Sequence, residues 1–93
     1  MTPRITINLN KDGELEIWLN PAGRDRLVHE LEALDERNDH FHLQPAELEG
    51  QQVTVQSIPY QNGDKLIEWG KVLFRPDEWD RKYFPHVLPA EPR

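Results

Sequence analysis

Apolar and polar side chains alternate with a two-residue period from Arg4 to Leu9, with Ile5, Ile7 and Leu9 on one side and Arg4, Thr6 and Asn8 on the other. That period predicts a strand with one wet face. Asn10-Lys11-Asp12-Gly13 supplies a turn, and alternation resumes from Glu14 to Leu19, with Leu15, Ile17 and Leu19 set against Glu14, Glu16 and Trp18. The two runs predict a hairpin with a common apolar face. Trp18 falls on the polar face, so it needs a cover from elsewhere in the chain or from a partner.

The period then changes. Asn20 is a good helix N-cap, Pro21 sits where its missing amide hydrogen costs nothing, and Leu27, Val28, Leu31 and Leu34 share one helical face. The pattern predicts a helix from Pro21 to about Arg37, roughly 25 Å long and able to lie across the hairpin. Gly23 weakens its first turn, and Asn38 in the left-handed conformation would end it. Phe41 and Leu43 alternate with His40, His42 and Gln44 in a further strand closed by Pro45. Ala46 to Gly50 reads as loop. Val53 to Ile58 is a weaker strand candidate at an edge, ended by Pro59 and the Gln61-Asn62-Gly63-Asp64 turn.

Lys65 to Arg75 carries apolar side chains of both parities, as in a well-covered strand or one with a bulge at Gly70. After Pro76, the segment from Asp77 to Phe84 predicts one or two helical turns capped by Asp77, with Trp79, Tyr83 and Phe84 on one side to cover Trp18 and Trp69. The expected fold is α+β: an antiparallel sheet of four or five strands with one long helix packed on one face, in the order β-β-α-β-(β)-β. The third strand can pair beside the first if its crossover is right-handed. Residues 1–84 form the single domain. Residues 85–93, with three prolines in nine positions, form a mobile tail.

A chain of 93 residues limits the molecule to one small core with little room for a deep active site. It has no Cys, so neither disulfides nor thiolate metal sites enter the argument. No signal-peptide pattern or membrane-length apolar run is seen, and a cytoplasmic location is the expectation. The net charge of -6 becomes informative once located. Seven acids and one base lie between Glu30 and Glu49, while the other ten acids and ten bases cancel. The excess negative charge therefore belongs to the back of the helix and the loops around His40, either as a solvated face or as a docking surface for a basic partner. Nucleic acid is excluded as a partner by the lack of a basic stripe.

His40 and His42 point to the same side of their strand, where two imidazoles near Asp39 or Glu16 could begin a zinc site. A third ligand at motif spacing is missing, so no metal or cofactor is expected. The pair could instead tune an interface by protonation near pH 6. Acid pairs such as Glu14/Glu16 lack the enclosed pocket that acid–base catalysis needs, and no phosphate loop, nucleophile elbow or Ser/His/Asp set is present. The chain reads as a non-enzyme. Its Trp and Tyr residues are mostly packing, but one or two left exposed beside the acids would make a recognition surface.

The run Ile5-Thr6-Ile7-Asn8-Leu9-Asn10-Lys11-Asp12-Gly13-Glu14-Leu15-Glu16-Ile17, the capped helix, the run from Asp39-His40-Phe41-His42-Leu43 to Gln44-Pro45 and the late apolar strand together resemble the immunity protein 32 family. The likeness covers about Arg4 to Phe74. It implies a small α+β protein that neutralises a cognate bacterial polymorphic toxin by binding it. The site expected for such a partner is Glu32, Asp35, Glu36, Asp39, His40 and His42. Two other readings remain open: a metal-binding regulator built on His40/His42, and a module that self-associates, as a homodimer, through a sheet edge.

Overall fold

The computed structural model describes residues 2–46 and 53–89. Its architecture is α+β, but the strands form two small three-stranded sheets in place of the expected single sheet of four or five. In the first, β1 (Ile5–Leu9) lies between β2 (Leu15–Leu19) and β5 (Lys65–Leu66), antiparallel to both. In the second, β3 (His40–Pro45) lies between β4 (Val53–Val55), to which it is parallel, and β6 (Gly70–Leu73), to which it is antiparallel. β3 thus does not pair with β1. A backbone bond from Gln56 N–H to the Ile5 carbonyl, 2.8 Å long, links the two sheets.

The hairpin turn forms as its residues require. Asn10 Oδ1 accepts from the backbone of Asp12 and Glu14, each at 2.9 Å, and Gly13 takes the φ of 83° that a side chain would resist. Helix α1 (Pro21–Glu32) starts at the predicted cap, where Asn20 Oδ1 accepts from Gly23 N–H at 2.7 Å. The same oxygen accepts from Arg4 N–H at 2.9 Å, so this cap also fastens the helix to the entry of β1.

The helix ends at Glu32, short of the expected Arg37, because Asp35 captures the backbone beyond it. Asp35 Oδ1 accepts from the amides of Arg37 and Asn38, both at 2.8 Å, a local turn that competes with further helical bonding. Asn38 is not left-handed. Its side-chain amide instead donates to the Ala33 carbonyl at 2.9 Å and satisfies one of the open helix-end carbonyls.

Among the described residues, six side chains make the core: Ile5 and Ile7 from one sheet, Phe41, Leu43, Val53 and Val55 from the other, with Leu27, Leu34, Ile67 and Val72 packed around them. Val53 and Val55 are fully buried although β4 is an edge strand. The hairpin reverses part of the expected polarity. Thr6 and Asn8, read as wet, are buried, while Leu15, Ile17 and Leu19, read as core, are 59%, 51% and 40% exposed. β1 is covered on both faces, since Ile5 and Ile7 pack in the core while Trp18 and Glu16 bond to Asn8 on the opposite side, whereas the apolar row of β2 is left half exposed.

Asn8 is buried without being orphaned. Its Oδ1 accepts from Trp18 Nε1 at 2.9 Å and its Nδ2 donates to Glu16 Oε1 at 3.0 Å, so the polar face of the hairpin is a closed network. The cover for Trp18 is Tyr60, stacked at 4.2 Å between ring centroids, and not the 77–84 segment.

The 65–75 stretch is not one covered strand. Its first part pairs with β1 and its second with β3, and the crossing between sheets takes place over residues 67–69. That leaves Trp69 65% exposed. The short helix α2 (Asp77–Tyr83) forms as predicted, although Pro76 is its N-cap and Asp77 makes no capping bond. A single 3-10 turn, Pro85–Val87, follows, and residues 90–93 of the expected tail lie outside the described residues.

Candidate functional site

The expected site residues fall into three settings. Glu32, Asp35 and Glu36 are exposed at the end of α1 and in the turn after it. Asp35 is occupied with the turn backbone, which leaves Glu32 and Glu36 as the outward carboxylates of this group. Glu47 and Glu49, which contribute to the acidic segment, lie outside the described residues.

Asp39 belongs to a different arrangement. Its Oδ1 lies 2.8 Å from His40 Nδ1 and its Oδ2 accepts from Arg75 Nη1 at 3.3 Å. Arg75 is brought there by the β3–β6 ladder, whose last bond runs from Phe74 N–H to the Asp39 carbonyl at 2.7 Å. The hydrogen bond from His40 is the main cause holding the Asp39 carboxyl below its ordinary value of 3.8; partial desolvation opposes it and the Arg75 charge adds to the lowering. One of the predicted docking carboxylates is therefore neutralised within the chain.

Arg75 also lies 4.6 Å from the Trp79 ring centroid, a cation–π contact that ties α2 to the end of β6. Between the 36–39 turn and α2 this leaves a groove of about 410 Å³, with Glu36 and Asp39 on one wall, Trp79 and Tyr83 on the other, and Arg75, Glu78 and Lys82 beside them, Lys82 Nζ lying 5.2 Å from the Tyr83 ring centroid. Trp79 packs on Tyr83 at 4.8 Å and on Phe84 at 5.3 Å, yet the three rings remain 37%, 54% and 46% exposed. The spacing of Trp79, Tyr83 and Phe84 signals that cluster in the sequence; its placement beside Asp39 was not foreseeable, because Arg75 lies 36 positions downstream.

His40 and His42 do share the outer face of β3, with ring centroids 5.0 Å apart and planes nearly perpendicular. His40 is engaged with Asp39, and His42 borders a second, more open depression with Trp69 and Lys71. Among the described residues, no group of three or more His, Asp or Glu side chains gathers as a metal-ligand set. No helix among them is long and apolar enough to cross a membrane. Compared with known protein families, with curated proteins and with solved structures, the chain gives no match.

Proposed function

We propose that this is a non-enzymatic binding protein that engages a basic protein partner in the cytoplasm, with the groove between the 36–39 turn and α2 as the centre of contact. The observation that carries the reading is the juxtaposition of Glu36 and Glu78 with the half-exposed rings of Trp79 and Tyr83. Aromatic rings held in place by their neighbours offer apolar contact area at little entropic cost, and flanking carboxylates select lysine and arginine on the partner. The resemblance to immunity proteins makes that partner a cognate bacterial toxin. Relative to the expected site, the contact keeps Glu36 and adds α2. Asp39 becomes a residue that positions Arg75.

The test pairs the chain with the product of the neighbouring gene, which this reading expects to be toxin-like. Co-expression should restore growth, and calorimetry should show binding that weakens as salt is raised. The double substitution Glu36→Lys/Glu78→Lys should reduce affinity at least about tenfold, since reversing two charges at an interface costs more than about 1.4 kcal/mol. Absence of a complex, or a complex indifferent to both salt and these substitutions, would discard the reading.

A further inference from the structure

The free edge of β2 carries a pattern that matches itself. The ladder between β1 and β2 pairs Asn8 with Glu16 and Thr6 with Trp18. It is bracketed by bonds from Asn10 N–H to the Glu14 carbonyl and from Asn20 N–H to the Arg4 carbonyl. The even-numbered residues of β2 thus direct their backbone groups toward β1. By the alternation of an antiparallel pair, Leu15, Ile17 and Leu19 direct theirs away from it, along the edge that no strand among the described residues occupies. The same three residues hold the exposed apolar side chains of the sheet. Unpaired backbone groups and unburied apolar side chains therefore coincide on one five-residue strand.

We infer that the chain forms a two-fold homodimer in which β2 pairs antiparallel with β2 of a second copy, centred on Ile17. In that register Ile17 faces Ile17 of the second copy and Leu15 faces Leu19, giving three backbone-bonded rungs with matched apolar side chains. Glu16 falls opposite Trp18 and Glu14 opposite Asn20, so no two like charges lie directly opposite each other. Moving the axis one residue toward Glu16 sets the two Glu16 side chains against each other in a close pair and breaks the apolar match, which selects the register centred on Ile17. The chain suits a copy of itself better than an arbitrary strand because both halves of each rung are already present in its own sequence.

The apolar surface at stake is the exposed half of three side chains per copy, well below the roughly 800 Å² per partner of a standard interface, so the dimer is weak, with a dissociation constant on the order of 100 µM. Each copy also carries a net charge of -6. Screening should therefore strengthen this association, the opposite of its effect on a basic partner in the groove.

Sedimentation of the full chain from about 5 µM to about 1 mM, at low and moderate salt, spans that range. The mean mass should climb from 11.0 kDa toward twice that value, more steeply in salt. Trp79→Ala should behave as the parent. Ile17→Lys, at a half-exposed position, should remain monomeric with an unchanged circular dichroism spectrum. As a second readout on the unmodified chain, the amides of Leu15, Ile17 and Leu19 should gain exchange protection as concentration rises. A parent chain monomeric throughout, an Ile17→Lys chain that dimerises equally well, or a dimer lost on Trp79→Ala would overturn the inference.

Discussion

Substituting Gly23 by Ala sets two physical effects against each other. Gly23 is buried in the first turn of α1, its φ lies outside the left-handed region, and intrinsic propensity favours alanine there by as much as about 1 kcal/mol. A Cβ at this position, however, would lie 2.3 Å from the Arg4 carbonyl oxygen and 3.0 Å from Asn20 Oδ1. Neither atom can step aside, since one is strand backbone and the other is the cap. Restoring ordinary contact moves the helix away from β1 by about 1 Å, an overpacking displacement that costs about 1–3 kcal/mol. The same movement stretches the bonds from Gly23 to Asn20 (2.7 Å), from Arg4 to Asn20 (2.9 Å) and from Asn20 to Arg4 (3.2 Å). Part of the overpacking cost is this loss of hydrogen bonding, each bond being worth about 1 kcal/mol. Set against the propensity gain, the net change is a destabilisation of about 1 kcal/mol, or about 6 °C in midpoint for a domain of this size. Urea denaturation followed by circular dichroism measures it, with the midpoint falling at an unchanged slope. An alanine variant as stable as the parent, or more stable, would refute the view that the helix is seated on β1 by backbone contact at this glycine.

Two further substitutions probe the hairpin and the site. Asn8→Leu should cost about 2–3 kcal/mol in thermal unfolding, because it strands the Trp18 indole N–H and removes the Glu16 partner inside a closed network; a loss under about 0.5 kcal/mol would show that water replaces the amide freely. The Asp39 carboxyl is lowered in the folded chain, so on acidification the unfolded chain takes up its proton first, and stability falls as pH drops through 3.8 and below. Asp39→Asn should remove that contribution and flatten the stability profile there, as followed by denaturation at successive pH values, and a slope identical to the parent's would count against the His40 and Arg75 contacts.

The elements whose cause is local were legible in the sequence. The alternation of 4–9 and 14–19, the Asn10–Gly13 turn, the Asn20 cap and the aromatic spacing in 79–84 each appear where their residues indicated. Features decided by distant residues were not. Whether Leu15 or Thr6 is buried depends on which distant residues lie over each face of the hairpin, among them the core side chains of the second sheet and Tyr60. The end of α1 turned on competition between helical bonding and the Asp35 turn, where propensity alone favours continuation. The cover on Trp18 came from Tyr60, in a stretch with no periodic signal. For the candidate site, the exposure of Glu32 and Glu36 could be read from local charge, whereas the withdrawal of Asp39 by Arg75 depends on the β3–β6 register.

The passage of residues 65–73 from one sheet to the other bears on how the molecule comes apart. Ile67 N–H binds the Ile7 carbonyl at 2.8 Å, and three residues later the same backbone is laced to Leu43. Either sheet's departure would drag a strand out of its neighbour and uncover Val53 and Val55 together with Ile5. Slow amides in both halves should accordingly exchange with a common free energy, as one cooperative unit rather than two.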